Sequence, residues 1–197
     1  MQTIIKPGIW KILRIFYSNK NKLVHLREIA RLSGMNESTA SLHLKNLVKN
    51  GIMKHLFEGN LKKFYVNKSH LPEIFPLFDQ ERLEKLPILR KNAIKLYIKS
   101  LENKPVFLIV FGSTAKGSFK GDSDLDLYGV FINIKGDVKA EKLVEAQTGV
   151  HLQVFKLNEK DFINELLTKK NKVLQSALNS GFPVFNQKYF YEVVYHE

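Results

Sequence analysis

Apolar residues recur every three to four positions at Ile9, Ile12, Leu13 and Phe16, which predicts an amphipathic helix over Ile9 to Tyr17. Leu26 to Leu32, apolar at Ile29, Ala30 and Leu32, predicts a short second helix. Gly34 supplies a tight turn and Asn36 an N-cap for a third helix, Glu37 to Asn50. Its expected buried face is Ala40, Leu44, Leu47 and Val48, and Gly51 sits just past its end as a left-handed cap. Ile52 to Phe57 and Leu61 to Val66 read as two short strands around Glu58-Gly59-Asn60.

The pattern then changes. Leu71-Pro72-Glu73-Ile74-Phe75-Pro76 predicts a boundary, because each proline disfavours helix at the residue before it. Ile88, Leu89, Ile94, Tyr97, Ile98 and Leu101 predict an amphipathic helix from 88 to 101. Beyond it strands and helices alternate. Strands are expected at Val106–Phe111, Leu125–Ile132 and Val150–Leu157, and helices from Ser113, over Asp137–Gln147, over most of Glu159–Ser180, and from Gln187 onward. That is an α/β pattern. The expected organisation is a mainly α domain at 1–70, a linker and connecting helix at 71–103, and an α/β domain with a small mixed sheet at 104–197. Trp10 and the Phe-rich 71–78 stretch are expected to pack rather than bind a ligand.

Charge separates the same regions. The 197 residues carry 31 Lys+Arg against 19 Asp+Glu, a net charge of +12. Residues 1–78 hold 13 basic and 4 acidic residues, whereas residues 104–197 hold 12 and 11 and no arginine. The basic excess therefore points to an anionic partner at one end only. Cysteine is absent, so disulfides, thiolate metal sites and a cysteine nucleophile are excluded, and a cytoplasmic location is expected. No segment approaches the ~18 apolar residues that span a bilayer, so no membrane association is expected. Met1 to Lys20 lacks the small-residue cleavage site of a signal peptide and is expected to belong to the fold.

Helix, helix, glycine turn, helix and hairpin is the order of a winged helix-turn-helix, whose third helix lies in the major groove. The candidate double-stranded DNA contacts are Ser38, Thr39, Ser41, His43, Lys45 and Lys49 on that helix, with Lys54, Lys62 and Lys63 on the hairpin. Hydroxyls and imidazole reach base edges or phosphates, and lysines neutralise phosphates. The stretch Ser41-Leu42-His43-Leu44-Lys45-Asn46-Leu47 through Gly51-Ile52, with Leu26-Arg27-Glu28-Ile29-Ala30 and Ser33-Gly34 before it, resembles bacterial and archaeal winged-helix repressors. The resemblance implies a homodimer.

Gly112-Ser113 ends an apolar strand, and ten residues later comes Asp124-Leu125-Asp126. Glycine lets a phosphate approach the backbone, serine adds a hydroxyl, and the N–H groups of the following helix point at the anion. Two carboxylates at i and i+2 of a strand share a face and suit Mg²⁺ beside a triphosphate. Asp122 and Ser123 are read as turn formers. This spacing resembles the polymerase-β-type nucleotidyltransferase superfamily, in particular its minimal archaeal and bacterial branch. The resemblance implies that Gly112, Ser113 and Lys116 hold an NTP such as ATP, while Asp124 and Asp126 hold Mg²⁺ or Mn²⁺ and act in catalysis. Gly181-Phe182-Pro183-Val184-Phe185 is a loose counterpart of that family's C-terminal ending. Members place a third acid on a later strand. Here Val150-His151-Leu152-Gln153-Val154-Phe155 has no acid, so His151 and Gln153 are the candidates for that place.

Two functions follow as expectations. One is a DNA-binding nucleotidyltransferase that transfers a nucleotidyl group to an acceptor. The other is a transcription regulator whose degenerate nucleotidyltransferase domain senses nucleotide or, like an antitoxin, binds a small helical protein partner.

Overall fold

The computed structural model describes residues 6–19, 22–134 and 138–195. Met1 to Ile5, Lys20 and Asp137, which the sequence reading assigned to the fold, lie outside the described residues. The chain divides into two units, one running to Phe78 and including Tyr195, the other running from Asp79 to Val194.

The first unit begins with α1 (Pro7–Ser18), β1 (Val24–His25), α2 (Leu26–Ser33) and α3 (Glu37–Lys49). Pro7 opens α1, where its missing N–H costs nothing. The His25 side chain accepts from Glu28 N–H to cap α2, and Asn36 accepts from Thr39 N–H at 2.8 Å to cap α3. Gly34 ends α2 at φ 66°, a left-handed conformation that an L side chain resists. The strands β2 (Met53–Glu58) and β3 (Leu61–Val66) form a hairpin, and β1 adds to it in the antiparallel order β1-β3-β2. Two-residue β1 is too short for any periodicity to announce it. Ile12, Leu13 and Phe16 of α1, Ile29 and Ala30 of α2, and Ala40, Leu44 and Leu47 of α3 are buried, and Met53, Phe64 and Val66 of the hairpin join them. Each fully buried large apolar side chain contributes ~1.5–3 kcal/mol. Val48, expected inside, is only half-buried, and Leu32 is exposed.

The expected break at Leu71–Pro76 is corrected. After a short 3₁₀ turn at Lys68–His70, α4 runs from Leu71 to Lys85 straight through Pro76. Pro72 lies in the first turn, where no hydrogen bond is lost. Pro76 lies in the interior, and the burial of Leu71, Ile74, Phe75 and Phe78 outweighs its local preference. Trp10 stacks on Phe78 at 4.0 Å between ring centroids, so both are packing residues of the first unit.

The second unit takes the end of α4, then α5 (Ile88–Ser100), β4 (Phe107–Val110), α6 (Gly112–Lys116), β5 (Leu125–Phe131), α7 (Val138–Thr148), β6 (Leu152–Asn158), α8 (Glu159–Thr168), α9 (Lys172–Ser180), β7 (Phe182–Phe185) and α10 (Gln187–Val194). Residues 71–103, expected as a linker with one connecting helix, are thus largely the two helices α4 and α5. The sheet order is β6-β5-β4-β7, with β5 and β6 parallel and the other two pairs antiparallel. This is an α/β fold with a mixed sheet. Strand β7 occupies the segment read only as a family-like ending. One sheet face (Leu108, Val110, Leu125, Leu127, Leu152) packs with Ala93, Ile94 and Tyr97 of α5 and Ala140 and Val144 of α7. On the other face Phe107 meets Phe162 of α8 and Phe190 of α10.

The face expected for α5 is also corrected. Ile88 and Leu89 are exposed, and the buried residues of the helix are Arg90, Ala93, Ile94 and Tyr97.

Candidate functional site

Strand pairing builds the site. Because β4 and β5 are antiparallel, the end of β4 lies beside the start of β5, and Phe111 N–H donates to Asp126 carbonyl at 3.1 Å. Gly112 follows at φ 65°, and a Cβ there would collide with the Asp126 carboxylate. Glycine is therefore required twice, by conformation and by close approach. α6 starts at Gly112, so the N–H groups of Gly112, Ser113 and Thr114 lie in the first turn, where no intrahelical acceptor exists.

Because β5 and β6 are parallel, their starts coincide as well. Gln153 is the direct cross-strand partner of Asp126, and Leu125 N–H donates to His151 carbonyl at 2.9 Å. The His151 Nδ1 lies 3.1 Å from Asp124 Oδ1, both side chains being about half exposed. Asp124, Asp126, His151 and Gln153 thus gather at one corner of the sheet. Lys120 N–H donates to Ser123 Oγ, which closes the turn ahead of Asp124.

The electrostatics are set by burial. Burial, and then the charge of Asp124, push the Asp126 carboxyl above the usual carboxylate range, against the pull of Arg90. Burial in turn pulls the Arg90 guanidinium down, while Asp126 and Asp124 push it up. Among the described residues no three acidic, histidine or cysteine side chains converge to hold a metal ion. Two carboxylates beside a glycine turn fit a hard cation that brings most of its oxygens from phosphate and water, which is how Mg²⁺ is commonly held.

Lys116, the nearest basic group by sequence, is exposed at the end of α6. The cation that bears on both aspartates is Arg90, which the sequence reading missed. The signal was available: Arg90 shares the helical spacing of Ile94, Tyr97 and Leu101. A groove of about 310 Å³ runs alongside, lined by Arg90, Phe119, Lys120, Asp122 and His151 among others.

In the first unit Ser38, Lys45 and Lys49 are exposed on α3, with Thr39 and Ser41 half-buried beside them. His43, expected alongside the outward face, is likewise half-buried. Its imidazole lies against Gly8 of α1, where a Cβ would clash with the ring. Lys54 and Lys62 are exposed on the hairpin, Lys62 lying 5.4 Å from the centre of the Phe64 ring. Lys63 is engaged by Glu58.

Residues 92–189 match the family described as polymerase beta, nucleotidyltransferase. No curated protein matches the chain. Two solved structures resemble it distantly. A toxin–antitoxin with AMP-PNP is 13% identical over 53% of this chain and 79% of that one, with a TM-score of 0.41. A Sulfolobus solfataricus protein assigned as a nucleotidyltransferase is 23% identical over 44% and 78%, with a TM-score of 0.28.

Proposed function

With residues 92–189 a polymerase-beta-type nucleotidyltransferase domain, we propose that the chain binds a magnesium-bound NTP at Gly112, Ser113, Asp124 and Asp126 and transfers its nucleotidyl group to an acceptor. The observation that carries this reading is the close approach of Gly112 to Asp126, which sets the backbone turn at the start of α6 directly beside a carboxylate. A bound Mg²⁺ supplies charge neutralisation at the phosphates. Gly112 and Ser113 N–H groups orient the triphosphate, and Asp124 and Asp126 hold the cation. His151, which shares a hydrogen bond with Asp124, is the group assigned to receive the acceptor's proton in this reading. The N-terminal unit is read as a winged helix-turn-helix that meets double-stranded DNA through Ser38, Thr39, Ser41, His43, Lys45 and Lys49 of α3 and Lys54, Lys62 and Lys63 of the hairpin, in a homodimer. The order of three helices and a hairpin, with a basic exposed face on α3, supports it.

One observation favours a second reading. The cross-strand partner of Asp126 is Gln153, which can neither ligate Mg²⁺ well nor accept a proton. In that reading the domain senses nucleotide, or holds a small helical protein partner as an antitoxin does, without transfer.

Incubation with each labelled NTP, Mg²⁺ or Mn²⁺ and candidate acceptors separates the two. Labelled product that disappears in Asp124→Ala and Asp126→Ala supports transfer. Nucleotide binding without product supports sensing, and product that survives both substitutions removes the site assignment.

A further inference from the structure

Arg90 lies outside the segment that matches the nucleotidyltransferase family, yet it spans that segment's two site-bearing pieces. Its side chain is buried, 5% exposed. One terminal nitrogen donates to Thr114 Oγ1 at 2.8 Å and to Asp124 carbonyl at 3.2 Å. The other donates to Ser123 carbonyl at 2.7 Å and to Lys120 carbonyl at 3.3 Å. The guanidinium carbon lies 4.4 Å from the centre of the Phe119 ring. Thr114 follows Gly112-Ser113 on α6, and Lys120 to Asp124 lead into β5. One planar fork therefore bridges the glycine turn and the carboxylate-bearing loop.

The neighbouring Arg82, also outside the matched segment, takes the far end of the same helix. It donates to Ala115 carbonyl at 2.7 Å and to Ser180 carbonyl at 3.2 Å. α6 has five residues, too few to be stable by itself. All four hydrogen-bond acceptors of Arg90 are neutral oxygens, so no carboxylate pairs with it directly, and the charges of Asp126 and Asp124 offset only part of its burial. An apolar side chain would fill the space with less desolvation cost. What an apolar side chain cannot do is hold two segments at a set spacing, and lysine, a point charge, lacks the fork.

We propose that Arg90 is a positioning residue: it fixes the spacing between the Gly112–Ser113 turn and Asp124, and through it the affinity for a magnesium-bound nucleotide. The second half rests on the nucleotide-binding reading above. The first half does not, and it is tested without nucleotide.

The test uses the full chain with Arg90→Gln, Arg90→Lys and Thr114→Val, plus Val144→Ala as a core variant on α7 that takes no part in the Arg90 hydrogen bonds. Hydrogen exchange of the apo proteins is expected to accelerate over 112–124 in Arg90→Gln, whereas Val144→Ala spreads its effect through the domain. Calorimetric titration with ATP, GTP, CTP and UTP in Mg²⁺, below the unfolding onset of every variant, is expected to show binding weakened about tenfold in Arg90→Gln. Arg90→Lys restores only part of it. If Arg90→Gln does not fold, Thr114→Val, which removes one of the four bonds, is expected to weaken binding about threefold with the same local exchange pattern. Unchanged exchange over 112–124, a wild-type Kd in folded Arg90→Gln, or an equal loss in Val144→Ala overturns the proposal. If the wild type binds none of the four nucleotides, the function reading fails and the exchange result alone decides whether Arg90 positions the loop.

Discussion

In the first unit, the exposed hydroxyl and basic residues come from one helix and the hairpin that follows it: Ser38, Lys45 and Lys49, then Lys54 and Lys62. In the second unit the candidate site is gathered from distant places. His151 reaches Asp124 across 27 residues, and Arg90 reaches the Asp124 carbonyl across 34. The first surface is made of exposed charge on a helix that folds from local signals. The second is a partly buried arrangement that exists only while three strands keep their register. A surface of the first kind loses affinity in small, additive steps as charges are removed. A site of the second kind fails as a unit, because moving one strand end moves every group on it.

The largest expected effect tests that difference at Asp126. Asp126→Asn is expected to lower magnesium-dependent nucleotide binding by about 100-fold or more, since a metal contact is worth several kcal/mol. The same change is expected to raise the apo melting temperature at pH 7. The folded carboxyl holds its proton to a higher pH than the unfolded one, so ionising it favours unfolding. Wild-type stability should therefore fall, relative to the variant, as pH rises from the ordinary carboxylate value through the higher folded one. Below that window the gap should be flat. Melting curves from pH 3 to 8 check it, and a variant that melts lower than wild type at pH 7 contradicts the uncompensated burial of this charge.

Next comes Gly112→Ala. The left-handed φ of 65° and the clash with the Asp126 carboxylate together are expected to cost roughly 1–3 kcal/mol. Denaturant unfolding measures it, and nucleotide binding should be lost alongside. An alanine variant as stable as wild type and still binding would break the idea that this corner fails as a unit.

On the other side of the comparison, Lys45→Ala and Lys49→Ala are each expected to reduce the slope of log affinity for DNA against log salt by about 1. The two effects should add. Lys63→Ala should do less, because Glu58 already engages that lysine. Fluorescence titrations at several salt concentrations distinguish these outcomes. Wild-type slopes in all three variants would mean the exposed faces of α3 and the hairpin do not carry the contact.

The smallest expected effect concerns two caps. Asn36→Ala should destabilise by about 1 kcal/mol, the usual worth of an N-cap. Asn171→Ala should cost more, because its side chain both accepts from Leu174 N–H and donates to the buried Tyr128 hydroxyl. Urea unfolding of the two variants tests the order, and the reverse order would deny the second bond any weight.

Much of this was legible in the chain itself. The three helices of the first unit follow from apolar spacing plus Asn36, Gly34 and Gly51, all of which act within one turn of the backbone. The Gly112-Ser113 and Asp124-Leu125-Asp126 spacing was equally readable, since each pair is contiguous. Less legible were the residues whose role is set by distant partners. Arg90 drew no reading from the sequence, and Ile88 and Leu89 were expected on the apolar face of α5, whose packing instead buries Arg90 and leaves both of them exposed. Pro72 and Pro76 signalled a break that α4 runs through, because local preference is worth less than the burial of Ile74, Phe75 and Phe78. β7 went unread because a four-residue segment containing a proline carries no usable period.

By itself, then, the order of residues determined most of the elements, the concentration of positive charge in the first 78 residues and the Gly112-Ser113 and Asp124-Leu125-Asp126 motifs of the second unit, because propensity, charge and short motifs act over a few neighbouring residues. The tertiary structure alone decided which side chains meet. The antiparallel β4–β5 pair set Gly112 against Asp126, the parallel β5–β6 pair set Gln153 opposite it, and α5 carried Arg90 between the two loops. Register and helix rotation are fixed by burial summed over the whole core, and no stretch of the chain contains that sum.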